Sequence, residues 1–367
     1  MNKKLVLPAA ILFLTLVLST SVLVNGCARS STPVSPFGIM MPVIATVQTP
    51  GEPEWACVYN DTMYVADNQM GVARIAMLPS PHYISSIQPA IANGVFGYVW
   101  VVYDSVQKTI VVSDRGTSYN QSSSPPTELN RLLGAFYSPV NDTLVQLQQQ
   151  GYEGRNCGPC TLFHDRDSTL HMLKPHTLGH GFNVMTLVGS VMVSPAVPYL
   201  PPIASFTGIR QAVLGQVSDS NIVFGVAEEY GLVSLYCQTW NSVPQEVGHL
   251  DLPGLPKWVA KRGSICYIAT KWSGLAVASV SDPRNPQLIR LTDVPNSDEQ
   301  YQVEVSTDST RLFVVDNLKG VYAYSLDDPT NPQYLGLLPV LRPVSICCYQ
   351  NYLIVCSEAE GLMIYRM

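Results

Sequence analysis

One template recurs without a gap around five glycines, Gly71, Gly231, Gly274, Gly320 and Gly361, and it limits the possible folds more than any other feature of the chain. Seven residues before each glycine stands a large apolar residue: Tyr64, Phe224, Tyr267, Phe313 and Ile354. Five before stands a small one, Ala66, Val226, Ala269, Val315 or Cys356, and an aliphatic residue follows directly (Val72, Leu232, Leu275, Val321, Leu362). This pattern predicts two strands joined by a turn that needs positive φ, which glycine adopts without steric cost. Asp67-Asn68 and Asp316-Asn317 open two of these turns, as side chains that bond their own backbone should. The glycines therefore read as turn residues and not as a phosphate cradle.

The last three intervals are 43, 46 and 41 residues, and a weaker copy, Ile110-Val111-Val112 before Gly116, lies 45 residues after Gly71. Repeats of this length are those of β-propeller blades. Two hairpins are followed by Ser281-Asp282-Pro283-Arg284-Asn285-Pro286-Gln287-Leu288-Ile289 and Asp327-Asp328-Pro329-Thr330-Asn331-Pro332-Gln333-Tyr334-Leu335-Gly336. Val243-Pro244-Gln245-Glu246-Val247-Gly248 is a degraded third copy. Proline fixes φ and lacks an N–H, so these segments turn between strands. On these residues the chain resembles the LVIVD-repeat proteins, strongly from about residue 208 to the end and over 42–78, and weakly over 117–206. The resemblance implies an all-β propeller of four-stranded blades in a bacterial envelope protein, and leaves the ligand undefined.

The final repeat ends at Tyr365-Arg366-Met367 after its third strand, while Val43-Ile44-Ala45-Thr46-Val47 has the character of an outer strand without a blade. The expectation is that 43–47 completes the last blade and closes the ring, leaving no open sheet edge. Outer strands are expected near 84–87, 131–136, 203–206, 246–250, 288–291, 334–338 and 43–47. That favours seven blades over six or eight, with an insertion at about 138–202 in a propeller spanning 42–367.

Lys3 and Lys4 precede an uncharged apolar run from Leu5 to Val24, the form of an export signal. Val24-Asn25-Gly26-Cys27 resembles a lipobox, so residues 1–27 read as a lipoprotein signal peptide with Cys27 as the lipidated residue, and 28–41 as a linker. An uncleaved transmembrane anchor is the alternative. Either form places the rest of the chain outside the cytoplasm, at the periplasmic face or the cell surface. Without Lys3 and Lys4 the 21 basic residues fall to 19 against 27 acidic ones, with no basic patch, which argues against nucleic acid as a partner. Nothing in the chain calls for more than a monomer.

Chemistry could lie in one stretch that holds Cys157-Gly158-Pro159-Cys160, His164, His171, His176 and His180. Cys157, Cys160, His176 and His180 have the spacing C-x2-C-x15-H-x3-H, which suits a tetrahedral zinc site. Cys-Gly-Pro-Cys also resembles the thioredoxin redox motif, though Cys160 leads into a strand rather than a helix, where such a thiolate is activated. The plainer reading is a Cys157–Cys160 disulfide, or reduced thiols, bracing a loop. Cys57 and Cys347 both stand fourteen residues before their glycines, so a disulfide between first and last blades is a further expectation.

Trp55 and Trp258 stand sixteen before their glycines, a slot filled by Glu304 and Ser345 elsewhere. They read as core or channel-rim packing, or as an aromatic ligand platform. No Ser-His-Asp order or phosphate loop is evident. The sequence thus favours a lipid-anchored, non-catalytic binding scaffold for a protein or glycan. A metal-binding or thiol-redox propeller using 157–180 is the alternative, and a propeller hydrolase with channel carboxylates a third reading.

Overall fold

The computed structural model describes residues 41–88, 97–106, 108–114, 117–120, 127–130, 134–138, 143–146, 148–150, 161–164, 169–176, 181–188, 191–193, 209–217, 220–238, 245–297 and 299–367. Among them lie seven sheets of four or five strands and one two-stranded hairpin. Numbered along the chain, sheet 1 runs from inner to outer strand as Trp55–Tyr59, Thr62–Ala66, Val72–Ala76 and His82–Ile87. Sheet 4 repeats this order with Ile209–Val217, Ser220–Ala227, Gly231–Tyr236 and Gln245–Leu250. Sheet 5 uses Trp258–Arg262, Ile265–Ala269, Leu275–Ser279 and Gln287–Thr292, and sheet 6 uses Gln300–Val305, Arg311–Asp316, Gly320–Ser325 and Gln333–Leu338.

The middle sheets depart from the template. Sheet 2 comprises Tyr98–Asp104, Thr109–Asp114, Gly134–Ser138 and Thr143–Gln146, with a Thr117–Asn120/Thr127–Asn130 hairpin inserted between its second and third strands. That hairpin shifts the strand count. Gly134–Ser138, in the region expected to be outermost, is an interior strand paired on both sides, and Thr143–Gln146 is the edge. Sheet 3 has five strands, Thr161–His164, Leu170–His176, Gly181–Val188, Val191–Val193 and Gln148–Gln150, the last pair parallel. The outer strand expected at 203–206 lies outside the described residues.

Sheet 7 contains Pro343–Tyr349, Tyr352–Ser357 and Gly361–Arg366, and its outer strand is Val43–Val47. The pairing is antiparallel, with Val43 opposite Tyr365, Ala45 opposite Ile364 and Val47 opposite Leu362. Gln48 Nε2 donates to the Glu360 carbonyl at 2.9 Å, and the Arg366 N–H to the Pro42 carbonyl at 3.1 Å. The ring is therefore closed by the N-terminal strand.

Neighbouring sheets pack face to face in cyclic order. Ala66, Val72 and Ile87 of sheet 1 meet Val101, Ile110 and Val112 of sheet 2, and Trp100 and Val111 of sheet 2 meet Leu170 and Met172 of sheet 3. The first two strands of sheet 3, Thr161–His164 and Leu170–His176, carry the contact to the inner strand of sheet 4. Phe224 and Leu232 of sheet 4 then join Ile268 and Ala276 of sheet 5, and Tyr267 and Val277 of sheet 5 join Leu312 and Tyr322 of sheet 6. Between sheets 6 and 7 the Gln302 amide donates to the Ile346 carbonyl at 3.1 Å and accepts from the Ile346 N–H at 2.9 Å. Met63 and Ile75 of sheet 1 with Ile354 and Leu362 of sheet 7 finish the circle. Each side chain of this size, once fully buried, stabilises the fold by about 1.5–3 kcal/mol.

The recurring glycines serve close approach as well as turning. Gly320 has φ +128°, and a Cβ there would sit 2.2 Å from the Leu338 carbonyl oxygen of the outer strand. Gly361, at φ +79°, would meet the Val47 carbonyl in the same way at 2.9 Å. The closing strand thus makes the contact that an ordinary outer strand makes within its own sheet. Gly320→Ala is expected to cost about 1–3 kcal/mol through left-handed strain and the carbonyl clash. The urea midpoint measures this, and an unchanged midpoint would refute the close-approach role.

Candidate functional site

The inner strands surround a cavity of about 420 Å³, within the size range of small-molecule sites. Trp55, Trp100 and Trp258 line it from sheets 1, 2 and 5, together with Lys261, Glu304 and Cys347 from sheets 5, 6 and 7. Strand register explains the indoles. Trp55 pairs with Ala66, Trp258 with Ala269 and Trp100 with Ser113, so all three hold the same place on their inner strands. Trp55 and Trp258 stack with centroids 5.4 Å apart and planes inclined at 29°. Trp55 also packs on the clusters between sheets 1 and 2 and between sheets 2 and 3. Indole from one sheet therefore reaches the core of several others.

Register also corrects the expected slot of Glu304. Gln302, not Glu304, lies opposite Val315, whereas Ser345 lies opposite Cys356 as anticipated. The turn 306–310 of sheet 6 is longer than its counterparts in sheets 1 and 5, which moves the slot by two residues. Glu304 accordingly sits one step further along, opposite Phe313. Its carboxyl has no hydrogen-bond or ion-pair partner among the described residues, and burial pushes it up to about 7. The Cys347 and Cys348 thiols beside it are raised well above the usual range, by burial first and by Glu304 next. Cys57 is pushed up to about 12 by burial, with only a slight lowering from the Tyr103 backbone. These thiols are held neutral, the opposite of an activated nucleophile. Cys57 and Cys347 are both free, so the expected disulfide between first and last sheets is not formed.

Trp100 was not singled out in the sequence, and register rather than spacing identifies it, because its partner Ser113 lies three and not five residues before Gly116. Of the histidine-rich stretch, His164 Nε2 lies 2.7 Å from Asp104 Oδ1, tying sheet 3 to sheet 2. His171 is buried and stacks on Phe163 at 5.2 Å. These two have structural roles. His176 is the last residue of its strand, opposite Gly181. Cys157, Cys160 and His180 lie outside the described residues, as does Cys27, so the zinc, disulfide and lipidation expectations fall there too.

A second feature occupies the rim of the glycine turns. Trp272, Leu318 and Leu341 are 63%, 66% and 59% exposed on sheets 5 and 6 and the loop into sheet 7. Lys271 Nζ lies 4.9 Å from the Trp272 ring centroid and 2.8 Å from Glu299 Oε1, which braces the indole in its outward pose. The loops from outer strand to next inner strand share this rim, because the Gly320 position abuts both Leu338 and Val340. Exposed apolar residues thus follow one another along consecutive sheets.

No protein-family model and no curated protein matches the chain. Solved structures do. The WD40 β-propeller domain of Doa1 aligns with a TM-score of 0.62 at 10% identity, covering 90% of this chain and 98% of that one. The computationally designed Ika8 protein aligns with a TM-score of 0.56 at 8% identity, covering 89% of this chain and 99% of that one. At such identities the likeness carries the fold alone.

Proposed function

We propose that this β-propeller is a lipid-anchored, non-catalytic docking protein of the bacterial envelope, of LVIVD-repeat type, that holds a protein partner on its glycine-turn rim. The apolar arc of Trp272, Leu318 and Leu341 carries the reading, because large exposed apolar side chains in succession are what a protein interface buries. Tryptophan braced by Lys271 suits the anchor role, since an ordered side chain loses little entropy on binding.

The direction of the closing strand supports the same arrangement. Val47 lies beside Gly361 on the docking rim, so Val43 and the chain before it enter at the opposite rim. A tether over 28–41, lipidated at Cys27, can reach about 50 Å when fully extended. It leaves the arc free to face away from the bilayer.

A photoreactive residue at position 272 is expected to give one discrete crosslinked species in intact envelopes, lost on Leu318→Asp. The same residue at 350, in a turn of the other rim, is expected to give none. Equal crosslinking from both positions would overturn the docking surface. Cys27→Ala should release the chain from membranes, and retention in the membrane fraction would overturn the anchor.

A further inference from the structure

The cavity at the hub is separate from the docking rim and would act whether or not that rim holds a partner. Its composition is unusual. Three of the five tryptophans in the chain line it, and a single carboxyl, Glu304, lines it without a hydrogen bond or salt link among the described residues. Glu304 is half-buried and lines the cavity, and a carboxyl withdrawn from bulk solvent without a protein partner marks what the cavity lacks. Lys261 also lines the cavity, yet no hydrogen bond or salt bridge joins it to Glu304 among the described residues.

We propose that the hub cavity binds a compact organic cation, a quaternary ammonium group, held between the Glu304 carboxylate and the indoles of Trp55, Trp100 and Trp258. Two independent terms favour this class. The indole quadrupole attracts a cation, most strongly a weakly hydrated one that gives up little solvation on entry. The carboxylate supplies the opposite charge, and a bound cation removes the cost of leaving Glu304 ionised without a partner. A neutral sugar could stack on the same indoles, but it would leave that charge uncompensated. An inorganic divalent ion would find one carboxylate and no second oxygen ligand of comparable strength among the lining residues.

The test is a titration of the full-length chain with choline, read by tryptophan fluorescence and by calorimetry. The control is choline's uncharged carbon analogue, in which a tert-butyl group replaces trimethylammonium. Choline is expected to give a saturable change, and the uncharged analogue to bind about tenfold more weakly or less well still. Glu304→Gln keeps the side-chain shape and removes the charge, so it should weaken choline about tenfold. Trp258→Phe should weaken it in the same direction, whereas Trp272→Phe on the rim should not. The comparison of charged and uncharged ligand on the parent chain needs no variant, so misfolding cannot obscure it. Equal binding of the two ligands, no saturable response to choline, preference for a neutral disaccharide, or an unaltered Glu304→Gln affinity would each overturn the proposal.

Discussion

Deleting residues 28–48 is expected to abolish the single cooperative unfolding transition of this chain, although only one short strand is lost. Val47 is buried and packs with Met63, Ile75, Ile354 and Leu362 between sheets 7 and 1, so its removal opens the core at that junction. The same deletion bares the Gly361–Arg366 edge, whose own Leu362 and Ile364 are otherwise fully buried. A bare apolar edge invites pairing with another chain, so association should accompany the loss of stability. A synthetic peptide of residues 42–49 should restore the transition in a concentration-dependent way, as any ligand of the folded state does. Calorimetry of the truncated chain, with and without peptide, is the measurement. A melting temperature equal to the parent's would show that the strand is dispensable.

The second large effect concerns Asp316, which is fully buried and whose carboxylate accepts hydrogen bonds from four groups of the described residues. The Ser297 hydroxyl donates at 2.6 Å and the Glu299 N–H at 3.1 Å to Oδ2, while the Leu318 and Lys319 N–H groups donate at 2.8 and 3.0 Å to Oδ1. One carboxylate thereby fastens the glycine turn of sheet 6 to the loop that enters it. Asp67 does the same in sheet 1, accepting from the Thr49 hydroxyl at 2.5 Å and the Gly51 N–H at 2.9 Å. Thr270 and Ser357 stand in the same place in sheets 5 and 7 with shorter side chains, bonding the Gly274 and Leu341 carbonyls at 2.6 Å each. Asp316→Ala would take the shared acceptor from four part-buried donors and is expected to cost about 2–4 kcal/mol. Asp282, exposed in an outer turn, accepts one backbone bond from Arg284 at 2.9 Å, and its replacement by alanine should cost about 0.5–1 kcal/mol. Denaturant unfolding of the two variants side by side measures the contrast, and equal losses would refute the clamp.

Much of this architecture is legible in the chain. The spacing around Gly71, Gly274, Gly320 and Gly361 identifies the hairpins because a left-handed turn admits few residues, and the Asp-Pro-x-Asn-Pro segments mark the passage to the outer strand for the same reason. Residues 43–47 could be assigned to the last sheet because their character and position match those of outer strands elsewhere, and the last repeat lacks one. The hub was less legible. Counting back from a glycine crosses the turn between the first two strands, and two extra residues there misplace Glu304 while leaving Trp55 and Trp258 correct. The gathering of three indoles depends on which sheets face each other across the ring, a property of closure that no local pattern encodes. The exposed apolar arc is likewise a matter of turn conformation. Tyr230, next to its glycine, folds inward to stack on His249 at 3.9 Å, while Trp272, two before its own, points out.

The strand that locks the ring also sets the order in which it can form. Its partners, Val43 with Tyr365 and Val47 with Leu362, lie at opposite ends of the sequence, whereas every other strand of the regular sheets finds its neighbour across a short turn. Loop closure over so long a separation is entropically costly and kinetically late, so the local hairpins assemble first and the circle last. A chain made from its N-terminus holds its fastening strand ready before the hairpin that receives it has been made. During that interval the molecule is an arc with two unsatisfied ends, each a bare apolar edge open to pairing until the final segment arrives.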